Sequence, residues 1–251
     1  MSTVKTRVGR FVWHEQVSPD PEQAKEFYTQ LFGWGTEVFK PGEIDYTMIS
    51  LGGQNHGGFG KAMEGAPPPH WLSHVGVANV DETLLKVEGA GGKLAAGPFE
   101  MGEVGRMAII TDPQGAFVSL YQPETTESTV SEGVFVWDEL ATTDIDGAQG
   151  FYQEVFSWKT KDMGPEFGGY RIFEIGDTGI AGAMTVQDAS IPPHWQPYVT
   201  VGDTDATTAK AKELSGSALM EPMDVPTIGR VAVLRDPQGA AFGIIKPEPA
   251  S

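Results

Sequence analysis

No cysteine occurs anywhere in the chain, which excludes disulfides, thiol nucleophiles and thiolate metal ligands together. Long apolar runs are missing as well. Nothing approaches the roughly 18–20 consecutive apolar residues that a membrane-spanning helix needs. The first ten residues, MSTVKTRVGR, carry no apolar core behind their charges, so a soluble cytoplasmic protein with no membrane partner is expected. Basic residues are scarce: 17 stand against 34 acidic ones, for a formal charge of −17. Such a surface repels phosphate backbones and excludes nucleic acid as a partner; its expected consequence is solubility. No Ser-His-Asp pattern stands out. Gly52-Gly53 and Gly57-Gly58 lack the lysine and helix start of a phosphate loop, and read as hairpin turns and close-packing sites.

Hydrophobic residues make up 40% of the chain, enough for a packed core, and 32 Gly with 18 Pro favour many turns between short strands. The chain also repeats itself. One shift carries Trp13 onto Trp137, Glu15 onto Glu139, Phe27-Tyr28 onto Phe151-Tyr152 and Trp34 onto Trp158. The same shift carries Tyr46 onto Tyr170, Pro68-Pro69-His70-Trp71 onto Pro192-Pro193-His194-Trp195, and Gly105-Arg106 onto Gly229-Arg230. It also brings Asp112-Pro113-Gln114-Gly115 onto Asp236-Pro237-Gln238-Gly239. The polar stretch 123–133 has linker composition, so two domains are expected, 1–122 and 134–251.

Within each copy the periodicities change in a fixed order. Phe11 to Val17 alternates as a strand, with Trp13 and Glu15 on one face and His14 on the other, where it reads as a surface residue. Asp20-Pro21 supplies a cap and a first helical position, Ala24, Phe27, Tyr28 and Leu31 follow at helical spacing, and Gly33 fits a stop. Strand-like runs follow at about 36–40, 46–51 and 56–62. After Pro67-Pro68-Pro69 a second cycle begins with a strand from Leu72. A helix opened by Asp81 carries Leu84, Leu85 and Val87, and three more strands follow, the last two joined by the Asp112-Pro-Gln-Gly115 turn. The order is strand, helix, three strands, twice per copy: an α+β chain of four βαβββ modules.

That order, the Asp-Pro-Gln-Gly turn before a last strand and the Phe-Tyr-x-x-x-Phe-x-Trp segment resemble the glyoxalase/bleomycin-resistance/extradiol-dioxygenase (vicinal oxygen chelate) superfamily. The tandem arrangement with Trp-x-Glu in the first strand looks like its actinobacterial hydroxylase-type or glyoxalase-like members. The resemblance implies that paired modules curl each copy's mixed sheet into a cup, and that a small molecule binds in the cup. It also implies that many members hold a divalent metal there. The matching ligand positions are occupied by Trp13 and Ser119 in the first copy, and by Trp137 and Gly243 in the second. None of these supplies the usual donor, so no cofactor is expected. A weak ion held by Glu15 and His74 is the remaining option, and His74 becomes Tyr198 in the second copy.

The candidate catalytic residues are then Glu15 and Glu139, carboxylates beside Trp13 and Trp137 whose desolvation would suit them to general base work; each is equally open to a structural role. Candidate ligand contacts are Tyr46, Tyr170, His74, Tyr198, Phe117, Ser119 and Tyr121. Arg106 and Arg230 either clamp an anionic oxygen or pair with Glu15 and Glu139. His70-Trp71 and His194-Trp195 read as packing, and Phe27-Tyr28 and Phe151-Tyr152 as core. Three functions fit. One is a binder or metal-independent enzyme for an aromatic or polyketide-like molecule. The others are a metal-dependent glyoxalase or dioxygenase, and a sequestering resistance protein without chemistry. The internal repeat suits a monomer as a pseudo-dimer, or a homodimer.

Overall fold

The computed structural model of the protein describes residues 8–40, 46–124, 134–188 and 190–248. The expected linker therefore lies almost wholly outside the described residues. The first copy runs β1 (Phe11–Ser18), α1 (Pro21–Phe32), β2 (Gly35–Phe39), β3 (Tyr46–Leu51), β4 (Gln54–Lys61) and β5 (His70–Gly76). It continues with α2 (Val80–Gly89), β6 (Lys93–Glu100), β7 (Gly105–Thr111) and β8 (Phe117–Pro123). The second repeats this as β9 (Phe135–Thr142), α3 (Ile145–Phe156), β10 (Lys159–Asp162), β11 (Arg171–Ile175), β12 (Thr178–Thr185) and β13 (His194–Thr200). It ends with α4 (Thr204–Glu213), β14 (Ser217–Val225), β15 (Gly229–Arg235) and β16 (Ala241–Pro247). Four βαβββ modules are present, and each copy forms one eight-stranded mixed sheet. Their strand orders are β2-β3-β4-β1-β5-β8-β7-β6 and β10-β11-β12-β9-β13-β16-β15-β14.

The chain packs into two compact units, each combining one module from each copy. The first unit holds α2 with β6 to β8, and α3 with most of β9 and β10 to β12. Its core gathers Val80, Val87, Phe151, Tyr152 and Val155 from the helices onto Ile110, Val118, Leu120, Leu140 and Phe173. The second holds α1 with β2 to β4, and α4 with β14 to β16, around Ala24, Phe27, Tyr28, Leu31, Ile49, Leu234, Phe242 and Ile244. Helix α1 starts where Asp20 accepts from the Gln23 amide at 3.1 Å and Pro21 needs no donor partner, and it stops at Gly33 with φ 72°. Its buried residues are the four at helical spacing, so one face alone meets the core.

The motif residues meet inside these cores. In the first unit Asp112 Oδ1 accepts from the amides of Gln114, Gly115 and Ala116 at 3.0, 2.8 and 2.9 Å, which ties down the turn. Its Oδ2 accepts from the Tyr152 hydroxyl at 3.0 Å, and Tyr152 accepts from Trp195 Nε1 at 2.8 Å. The second unit repeats the chain: Trp71 Nε1 donates to Tyr28 at 2.9 Å, and Tyr28 to Asp236 Oδ2 at 3.1 Å. Each chain thus takes its tyrosine from one copy and its aspartate from the other. Burial pushes both aspartyl carboxyls up despite the donors around them, and pushes both tyrosine hydroxyls well above their usual value.

Several expectations need correction. His14 is buried and stacks on Phe135 with ring centroids 4.1 Å apart, because the strand face opposite Glu15 faces the core. Asp138, its counterpart, is also buried and accepts from Ser73 Oγ at 2.5 Å. Helix α2 is capped by Asn79 rather than opened by Asp81, which turns its buried stripe to Val80, Thr83 and Val87 and leaves Leu85 exposed. The glycine pairs hold as read: Gly52-Gly53 makes the β3–β4 turn, and Gly57-Gly58 is closely packed within β4, where a methyl group would meet the His14 carbonyl at 2.3 Å or the Tyr46 hydroxyl at 2.1 Å.

Replacing Tyr152 with Phe would leave a buried indole N–H and a buried carboxylate oxygen without the hydroxyl. Urea denaturation of Tyr152→Phe is expected to show a loss of about 2–3 kcal/mol; a loss below about 0.5 kcal/mol would mean the chain of bonds contributes little.

Candidate functional site

Strand alternation decides which side chains avoid the core. In β9, Asp138, Leu140 and Thr142 are buried, while Trp137, Glu139 and Ala141 occupy the half-buried, open face. Tyr170, just before β11, lies over that face. Trp137 Nε1 donates to its hydroxyl at 3.0 Å, and the hydroxyl donates to Glu139 Oε2 at 2.9 Å. β12 runs parallel to β9 with Gly182 opposite Glu139. A methyl group on Gly182 would stand 1.8 Å from the Tyr170 oxygen and 2.9 Å from Trp137 Nε1, so only glycine leaves the hydroxyl its place. Burial first, then the Glu139 charge, raises the Tyr170 hydroxyl far above its ordinary value, which keeps it a proton donor.

The second unit carries the counterpart from the first copy. Gln16 and Ser18 point into the core, and half-buried Glu15 takes the open face of β1. Tyr46 is hydrogen-bonded to Glu15, Gly58 stands opposite it on β4, and a methyl group on Gly58 would lie 2.1 Å from the Tyr46 oxygen. A methyl group on Gly60 would meet Glu15 Oε1 at 2.5 Å. Desolvation outweighs the Tyr46 bond and pushes the Glu15 carboxyl up to about 7. A carboxyl poised there exchanges protons at neutral pH. Gly58 was read only as a close-packing glycine, and the role of Gly182 was not read from the sequence. The signal was present, since both are strand glycines at the shift that relates Tyr46 to Tyr170.

The other candidates lie on other strands. His74 and Ser119 are register partners across the parallel β5–β8 pair, and both are buried. Phe117 and Tyr121 are half-buried on the same strand, and the Tyr121 hydroxyl donates to the Val104 carbonyl at 2.6 Å. In the second unit the Tyr198 ring covers Gly243, where a methyl group would come within 2.3 Å of it. The arginines take partners other than the expected glutamates. Arg106 pairs with Asp81 and, at 2.8 Å, with Glu100; Arg230 pairs with Asp205 at 2.5 Å and Asp224 at 3.1 Å. All four partners are largely exposed, so these are rim ion pairs worth little on their own.

A divalent metal of the kind the fold accommodates needs three or four converging nitrogen or oxygen donors. Among the described residues no group of three or more His, Asp or Glu stands together. Indoles occupy two of the expected positions, and the Tyr198 ring fills the space above Gly243. Among the described residues, the side chains at these positions do not supply that donor set. Among the described residues, no helix is long and apolar enough to cross a membrane.

Comparison with known proteins gives a consistent result. The model of the Glyoxalase/Bleomycin resistance protein/Dioxygenase superfamily matches residues 10–120 and again 134–244. "Putative glyoxylase CFP32" of Mycobacterium bovis is 38% identical over 252 residues, 97% of each chain. "Anthracycline biosynthesis protein DauV" of Streptomyces sp. strain C5 is 33% identical, covering 95% of this chain and 93% of its own. Among solved structures, the 2,3-dioxygenase LapB from Pseudomonas sp. KL28 superposes with a TM-score of 0.68 at 11% identity, over 97% of this chain and 94% of its own. The Mn(II)-bound glyoxalase from Novosphingobium aromaticivorans gives 0.65 at 16% identity, over 96% and 82%. At those identities the two structures speak for the fold alone.

The raised Glu15 carboxyl has a signed consequence for stability. Its folded value of about 7 lies above the ordinary 4.5, so its contribution is full below the latter and is lost as pH rises through the former. The stability of Glu15→Gln relative to the parent is therefore expected to rise between those two values, read from urea midpoints across pH; a constant difference would show that Glu15 titrates normally.

Proposed function

The chain belongs to the glyoxalase/bleomycin resistance/dioxygenase superfamily, and we propose that it takes a small aromatic, polyketide-like molecule on its open strand faces, with Glu15 and Glu139 exchanging protons with it. The observation that carries this reading is the repeated pairing of a tyrosine hydroxyl with an open-face glutamate over a glycine, at Tyr46–Glu15–Gly58 and Tyr170–Glu139–Gly182. A core interaction alone would not require two strand glycines to clear a path for a polar group. The flanking aromatics, Trp13 and Trp137 on the same strand faces, suit a planar ligand. The Streptomyces relative's name supports the ligand class, since anthracyclines are fused-ring aromatic compounds.

In this reading the residues act without a metal. The glutamate takes a proton from a weakly acidic group of the ligand, and the tyrosine, held protonated, steadies the carboxylate. A metal-dependent glyoxalase is the second reading, favoured by the superfamily match and opposed by the donor set among the described residues.

The test is a thermal-shift screen of hydroxyanthraquinones against the parent, Glu15→Gln, Glu139→Gln and the double variant. Specific stabilisation of the parent, weakened tenfold or more in the double variant, which is about 1.4 kcal/mol, is the expected result. Equal stabilisation of parent and double variant would assign a sequestering role with no part for the carboxylates.

A further inference from the structure

An indole N–H donates and never accepts. The bond from Trp137 Nε1 to Tyr170 therefore occupies a lone pair of the phenol oxygen and directs the phenol proton onward, to Glu139 Oε2 at 2.9 Å. A protonated Oε2 would set two protons against each other, so the chain of bonds is satisfied only when that oxygen accepts. We infer that Trp137, Tyr170 and Gly182 are positioning residues that hold Oε2 of Glu139 as a hydrogen-bond acceptor, and that the ligand group this carboxyl meets is a weakly acidic hydroxyl, a phenol or enol. This rests on the reading of Glu139 as a ligand-facing carboxylate and names the chemistry that such a carboxylate accepts.

Three observations support the inference. Tyr170 is committed as a donor, since burial and the Glu139 charge both keep its proton on. Gly182 has no other evident reason to be glycine: it lies within β12, and a methyl group there would displace the phenol oxygen. The same Trp-to-Tyr-to-carboxylate direction is built into the core, from Trp195 through Tyr152 to Asp112, so the arrangement occurs twice in one unit with the acid as acceptor both times. The charged residues nearby in these strands do not replace it. Arg171 is taken up by Asp146 and Gln149 of α3, Asp138 lies on the buried strand face with Ser73, and Glu174 of β11 brings charge of the same sign.

The transfer is a simple proton exchange. The ligand O–H bond breaks, its electron pair stays on the ligand oxygen, and the proton forms a new bond to a carboxylate oxygen of Glu139. A carboxylate has about four lone-pair sites, so the Tyr170 bond leaves capacity for this one.

Glutamate-selective carbon-13 NMR of the ligand-free protein tests the positioning claim directly, with Glu139→Gln assigning the resonance. Tyr170→Phe is expected to raise the Glu139 midpoint by about 1 pH unit or more, since a bond to the charged form has been removed. Gly182→Ala should do the same by displacing the hydroxyl. Unchanged midpoints in both variants, with spectra otherwise folded, would overturn the claim. Titration with alizarin, a dihydroxyanthraquinone whose colour reports deprotonation, tests the ligand chemistry. The expected result is binding as the phenolate to the parent and as the neutral phenol, or not at all, to Glu139→Gln. Binding in the same protonation state to both would overturn the acceptor role. Failure of alizarin to bind the parent would count against the aromatic-ligand reading, while the NMR midpoints would still decide the positioning of Glu139.

Discussion

A donor that cannot accept sets the direction of the hydrogen-bond chains on which this structure depends. Trp71 and Trp195 each pass a proton-donating bond to a buried tyrosine, and each tyrosine passes its own to the aspartate of an Asp-Pro-Gln-Gly turn. The aspartate's other oxygen holds three consecutive turn amides, so a single carboxylate fixes the hairpin and the helix against it. Tyrosine and aspartate come from different copies in every case. The two copies are therefore not simply successive domains in packing terms; each compact unit needs a module from both.

The open face of β9 reuses this arrangement in a less buried place, and that of β1 repeats its tyrosine–carboxylate bond. There the carboxylate is a glutamate, the tyrosine stands at or just before the start of the module's third strand, and a glycine on the neighbouring strand makes the room. Strand alternation keeps these chains apart from the core ones, because Trp137 and Glu139 lie on the face opposite Asp138 and Leu140. One local rule thus yields both a structural anchor in the core and a half-buried polar pair on the open strand face.

Much of this was legible in the sequence. The internal shift exposed the four modules, and the periodicities located α1 and nearly every strand within a residue or two. Glu15, Glu139, Tyr46 and Tyr170 were singled out from strand phase and repetition. What could not be read was partnership. Self-alignment says which positions are equivalent but not which copy supplies a neighbour, so Tyr28 and Trp71 read as separate packing residues rather than as one chain ending on Asp236. For the same reason Arg106 and Arg230 were matched to the wrong acids. Their actual partners, Asp81 and Asp205, sit at the same offset before each arginine, on the first turns of α2 and α4. His14 misled because a polar residue in an alternating strand usually faces water, whereas here aromatic stacking on Phe135 holds it inside.

The account assigns the chemistry to carboxylates, although the superfamily's fold also accommodates divalent metals. The most direct test of that assignment is elemental analysis of the purified protein by mass spectrometry, with melting curves recorded alone, with EDTA and with added Mn(II). The account predicts well under one metal per chain and a melting temperature that neither reagent moves. One or more tightly held metals per chain, with melting lowered by EDTA and restored by Mn(II), would contradict it.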